Sequence, residues 1–102
     1  MATVRNNIDA LDDVIHQKVR LGVMSSLIAA GEADFNFLKG ALGVSDGNLS
    51  THLTVLEEHG YLTVRKEFVG KKPRTTYTPT EAGRRAFEAY VAALEAFVRQ
   101  AS

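Results

Sequence analysis

From Leu42 to Thr80 the chain reads LGVSDGNLSTHLTVLEEHGYLTVRKEFVGKKPRTTYTPT, a short helix with signals at both ends followed at once by a hairpin with a basic tip. Ser45 can accept hydrogen bonds from the free amides of a first turn, and Gly60 can take the left-handed conformation that ends a helix. The helix therefore runs roughly from Asp46 to His59. Leu49, Leu53 and Leu56 recur at helical spacing, so one stripe must be buried. The opposite stripe holds Gly47, Thr51, Thr54 and Glu58, with Asn48 and Ser50 beside it.

That outer face is small and polar. Short hydroxyl and amide side chains let a helix approach base edges closely and exchange hydrogen bonds with them, whereas a merely solvated face more often carries Lys, Glu and Arg. Taken alone, the segment also fits a neutral surface helix.

The hairpin favours the groove-binding alternative. Tyr61 to Phe68 is rich in β-branched and aromatic residues, Val69 to Arg74 holds the turn formers Gly70 and Pro73, and Thr75 to Thr78 returns as a second strand. Between Arg65 and Arg74 stand Arg65, Lys66, Lys71, Lys72 and Arg74 against the single acid Glu67. Lysines on edge strands can serve only to block sheet-to-sheet aggregation. Directly after such a helix, a cationic two-stranded wing is more economically a phosphate contact.

Composition bounds the rest. With 102 residues the chain is expected to be one domain spanning 1–102. Twelve basic and twelve acidic residues cancel, so nucleic-acid binding rests on where charges lie and not on their sum. Cysteine is absent, which removes disulfides, thiolate switches and sulfur-ligated metals. His16, His52 and His59 do not form a metal-ligand pattern, and His52 falls beside the leucine stripe; no metal and no cofactor is expected. No signal peptide or membrane-length apolar run is recognisable, so the expected location is cytoplasmic and no membrane partner is expected. No Ser/His/Asp arrangement, phosphate-binding glycine loop or paired-carboxylate cleft suggests an enzyme.

Ile8, Leu11, Val14 and Ile15 mark a helical face, and Val19, Leu21, Val23, Met24, Leu27 and Ile28 continue with a broader one up to Gly31. Residues 8–30 are expected to form two helices, about Ile8 to Ile15 and Lys18 to Ala30, or a single bent one. Ala33 to Phe35 is a candidate strand that could pair with the hairpin. A helix from about Asn36 to Leu42 with Phe35, Leu38 and Leu42 inward, then Gly43, Val44 and Ser45, completes a helix-turn-helix over 36–59, with the wing at 61–79. Thr80 caps a last helix over 80–100, where Phe87, Tyr90, Val91, Leu94, Phe97 and Val98 form a continuous stripe. Such a stripe needs cover, either from Ile8, Leu11 and Ile15 of its own chain or from the same elements of a second copy. The second is favoured because the N-terminal segment is short. The fold class expected is α+β, mostly α, with a small antiparallel sheet and extra terminal helices.

LGVSDGNLSTHLTVLEEHGYL followed by VRKEFVGKKPRTTYTPTEAGRRAFEAY resembles the winged helix-turn-helix transcriptional regulators of the MarR and ArsR type, especially their small stand-alone relatives. The upstream LDDVIHQKVRLGVMSSLIAAGEADFNFLKGALG resembles their entry helices, so the likeness covers about residues 8 to 98. It implies a homodimer on a pseudo-palindromic operator in double-stranded DNA, with Ser45, Gly47, Asn48, Ser50, Thr51 and Thr54 in or beside the major groove. Lys71, Lys72 and Arg74, with Arg65 nearby on the wing, would follow flanking phosphates or the minor groove. The terminal helices would build the dimer interface, and a crevice beside them could take an unidentified small-molecule effector. The family's metal-sensing branch relies on cysteines and His-rich sites missing here, and Thr51 and Thr54 stand where many relatives carry Arg or Lys. A winged-helix module that binds protein instead of DNA is the alternative function.

Overall fold

The computed structural model describes residues 8–101. Its elements are a 3-10 turn at Ile8–Ala10, helix α1 at Lys18–Ala30, strand β1 at Ala33–Asp34, α2 at Phe35–Leu42, α3 at Asp46–Glu58, β2 at Leu62–Val69, β3 at Lys72–Pro79 and α4 at Glu81–Ala101. The three strands form an antiparallel sheet in the order β1-β3-β2.

Each helix starts where a side chain can satisfy free amides. The Gln17 side chain accepts from the Arg20 amide, Asp34 from Phe37, Ser45 from Asn48, and the Thr80 hydroxyl oxygen from Gly83. Helix α3 ends in a Schellman arrangement: Gly60, at φ +73°, donates to Glu57 O, and Tyr61 donates to Leu56 O. This closure turns the chain sharply from α3 into β2, so the hairpin is welded to the helix end.

The core draws on every layer: Val19, Val23, Met24 and Leu27 of α1, Leu38 of α2, Leu49, Leu53 and Leu56 of α3, and Ala33, Leu62 and Tyr77 of the sheet. Central α1 packs against α2, α3, α4 and the sheet, as its broad apolar face implied. Two of α3's faces are thereby decided: the leucine stripe is sealed and the opposite stripe is left to solvent.

Three expectations are corrected. The segment Ile8 to Ile15 is not a helix beyond Ala10, because Asp12 Oδ1 accepts from the amides of Val14 and Ile15 at 2.8 and 3.1 Å and closes a local turn that competes with helical bonding. The first strand stops at Asp34, which caps α2, so that helix begins one residue early, at Phe35. The wing is longer than its turn formers suggested. Its strands pair out to Val69 opposite Lys72, and only Gly70 and Lys71 make the turn. Pro73 is admitted because β1 covers only Thr76 and Tyr77 of β3, leaving an open edge where a missing N–H forfeits no ladder bond.

The molecule measures 67 × 26 × 21 Å, and its radius of gyration of 15.9 Å exceeds the about 13 Å of a compact chain this long. The excess comes from two projections, the distal hairpin and the end of α4. None of its helices, among the described residues, is long and apolar enough to cross a membrane.

Candidate nucleic-acid interface

Helix α3 is held in place by its buried leucines and by one polar joint. Arg20 of α1 donates through Nε to Val14 O at 2.6 Å and through Nη1 to His52 Nδ1 at 2.9 Å. A guanidinium can only donate, so His52 Nδ1 must be the unprotonated nitrogen here. Burial first, and then the Arg20 charge, hold the His52 pKa below its usual value. His52 is thus a brace on the flank of α3, and among the described residues no cluster of three or more His, Cys, Asp or Glu could hold a metal.

On the outer stripe, Ser45, Gly47, Asn48, Ser50, Thr51 and Thr54 are all exposed. Their hydrogen bonds set what each can offer. Ser45 Oγ is engaged as the cap of α3, at 3.2 Å from the Asn48 amide. The Thr51 and Thr54 hydroxyls donate back to Gly47 O and Ser50 O at 2.9 and 3.0 Å, which leaves lone pairs and methyl groups facing outward. Asn48, whose amide is both donor and acceptor, has no side-chain partner among the described residues. Gly47 has open space where a Cβ would stand.

On the wing, Arg65, Lys71, Lys72 and Arg74 are also exposed, but they are not equivalent. Arg65 lies 3.4 Å from Glu32 and 3.6 Å from Glu67, and Arg74 lies 3.5 Å from Asp34. Their charge is partly answered within the chain. Lys66, Lys71 and Lys72 have no ion pair among the described residues and carry the unanswered charge of the hairpin. At the opposite edge of the helix pair, Lys39 of α2 sits 2.8 Å from Asp46, the acid in the first turn of α3. This local pairing offsets the repulsion that Asp46 would offer a phosphate.

Sequence reasoning did not single out Lys39, Lys66 or the Arg20–His52 joint. Lys66 was visible in the basic run. The other contacts join residues from different helices, and no local spacing announces them.

At the far end, the terminal stripe divides. Ile15 and Tyr90, read from sequence as partner-facing, are sealed inside the chain at 0% and 2% exposure. The Asp12 turn folds residues 14–16 back, and His16 Nδ1 meets the Tyr90 hydroxyl at 2.8 Å. Leu11, Phe87, Val91 and Phe97 are half-buried, while Ile8, Leu94 and Val98 are exposed at 66%, 37% and 61%.

Residues 19–98 match the family model described as the winged helix DNA-binding domain. An uncharacterized protein of Methanocaldococcus jannaschii is 33% identical over 78 residues, covering 76% of this chain and 85% of that one. A transcriptional regulator homologue from Pyrococcus horikoshii OT3 superposes with a TM-score of 0.81 at 28% identity, over 87% of this chain and 88% of its own. A transcriptional regulator of the MarR family from Enterococcus faecalis V583 gives 0.75 at 26% identity, over 98% and 94%.

Proposed function

The chain belongs to the winged helix DNA-binding domain family, a DNA-binding regulator fold and not an enzyme, and from that premise we propose that it works as a homodimer on a pseudo-palindromic operator. Helix α3 is the reading element and the wing the anchor. The observation that carries this reading is the outer face of α3 and its cap: Ser45 and five small polar or glycine positions, all exposed, on a helix whose other face is locked into the core.

The two surfaces do different work. Lys71 and Lys72 release counterions from the phosphates and supply affinity for any sequence, with Arg65 and Arg74 contributing less because each already faces a carboxylate. Asn48 can bond an adenine edge in both directions. Thr51 and Thr54, their protons turned inward, offer an acceptor to a base amino group and a methyl to thymine, at about 1 to 3 kcal/mol per good contact.

For dimerisation, the support is the exposed pair Leu94 and Val98 on α4, beside the half-buried Val91 and with exposed Ile8 on the 3-10 turn that contacts α4, apolar surface along an element that outruns the core. A two-fold pair would set two α3 helices on successive major grooves, about 34 to 36 Å apart.

The test is a salt titration of binding to genomic DNA fragments. Lys71→Ala and Lys72→Ala should each lower the slope of log K against log salt by about one and weaken all sequences alike, whereas Arg74→Ala should lower it less. Asn48→Ala and Thr51→Ala should change which fragments are preferred. Equal slopes for all wing variants, or no retarded DNA at low salt, would refute the assignment.

A further inference from the structure

The hairpin carries more than charge. Its proximal residues Leu62, Tyr77 and Pro79 are buried, but from Arg65 outward and back to Arg74 every residue is exposed, so the distal arm stands clear of the body. At its end lie Phe68, 74% exposed, Val69, 54% exposed, and Pro73, which pairs directly with Phe68 across the ladder. Scattered surface hydrophobics need no explanation. Three contiguous ones at the end of a free-standing arm, with Phe68 the most exposed large apolar side chain described, do nothing for the chain's own core.

Their neighbours say what they suit. Lys66 precedes Phe68 by two positions on the same face of β2, Lys72 pairs with Val69, and Lys71 forms the turn. None of the three lysines has an ion pair among the described residues. An apolar point inside a cationic collar matches a cleft with anionic walls and an apolar, stackable floor. The DNA minor groove is such a cleft: phosphates line both rims, and base steps can part to admit a flat ring.

Resting on the reading of the wing as a DNA contact, we infer that Phe68 is a wedge that enters the minor groove beside the α3 site and partly unstacks a base step, kinking the duplex. Lys66, Lys71 and Lys72 hold the flanking phosphates while the ring inserts. The step that opens most cheaply is pyrimidine–purine, TA or CA. The wing therefore selects sequence through deformability, at positions α3 never touches, and supplements the modest chemistry of Asn48, Thr51 and Thr54.

The experiment is site selection from a random 30-base-pair duplex pool with the wild-type chain, Phe68→Ala and Phe68→Leu, followed by affinity, salt slope and end-to-end energy transfer on the recovered duplexes. All three proteins should melt together, since the ring is in solvent. Wild type should recover sites enriched in TA or CA steps flanking the half-sites, and should bend them. Phe68→Ala should bind those duplexes about tenfold more weakly, with unchanged salt slope, less bending and no step enrichment; Phe68→Leu should retain part of each. A Phe68→Ala chain that recovers the same sites with the same affinity and bend overturns the wedge while leaving the DNA-binding reading intact. So does one that keeps full DNA binding but loses binding to anionic phosphatidylserine vesicles, which would make the tip a membrane contact. If the wild-type chain recovers no duplex at any salt, the underlying reading falls as well.

Discussion

Two glycines of similar appearance in the sequence have opposite physical situations. Gly83, in the first turn of α4, sits so close to the Tyr61 carbonyl that a Cβ would overlap that oxygen, with the Met24 methyl behind it. The Tyr61 carbonyl cannot retreat, because it accepts from the Thr80 amide, and the Tyr61 ring is tied by its hydroxyl to Asp12 Oδ2 at 2.5 Å. Burial, and then that bond to a carboxylate, push the Tyr61 pKa up to about 12, so the hydroxyl remains a donor across the physiological range. Gly47 meets nothing within reach. Gly83→Ala should therefore cost about 2 kcal/mol or more, by overpacking against backbone, while Gly47→Ala should leave stability equal or raise it by roughly 0.5 kcal/mol and weaken DNA binding by placing a methyl on the reading face. Urea unfolding of the two variants, with a gel shift for the second, checks both signs. The glycine spacing in the sequence distinguishes neither case.

Among elements, the joint between α1 and α3 carries a pH dependence near neutrality. His52 is neutral in the folded chain because burial and Arg20 both oppose its charge, and Arg20 cannot yield its proton instead. In the unfolded chain the imidazole titrates near its ordinary value of 6.5. The folded state thus binds this proton less readily than the unfolded one, so the contribution is complete above about pH 6.5 and is lost as pH falls through that value toward the lowered folded pKa. Wild type should lose more urea resistance between pH 7.5 and 5 than His52→Gln, which lacks this imidazole. Parallel losses would show that the joint does not titrate with folding. The helices themselves were legible from capping residues and leucine periodicity, because those signals are local. The N-terminal segment was misread since its apolar spacing is helical while Asp12, through two short bonds, imposes a turn.

For the whole molecule, the long dimension is the telling quantity. A chain of this size that reaches 67 Å leaves part of α4 with too few neighbours. Because Leu94 and Val98 are exposed within one chain, Leu94→Glu with Val98→Glu should leave the winged core folded while converting the proposed dimer to a monomer and weakening DNA binding. Sedimentation equilibrium at micromolar concentration reads this directly. A wild-type chain that sediments as a monomer, or a doubly substituted chain that stays dimeric, would refute the two-fold arrangement.

The order of residues alone was enough to specify the capped helix, read as Asp46 to His59 and observed over Asp46–Glu58, its leucine stripe, the presence of the hairpin and its cationic tip, because caps, turns and periodicity act over a few residues. Only tertiary structure decided which cations remain unanswered, since Glu32 and Asp34 reach Arg65 and Arg74 from outside the hairpin. Only it decided that Ile15 and Tyr90 are buried inside the chain while Leu94 and Val98 are exposed, and that Phe68 is left in solvent. Burial and long-range pairing depend on which surfaces the chain brings together, and that is a property of the folded shape rather than of any local pattern.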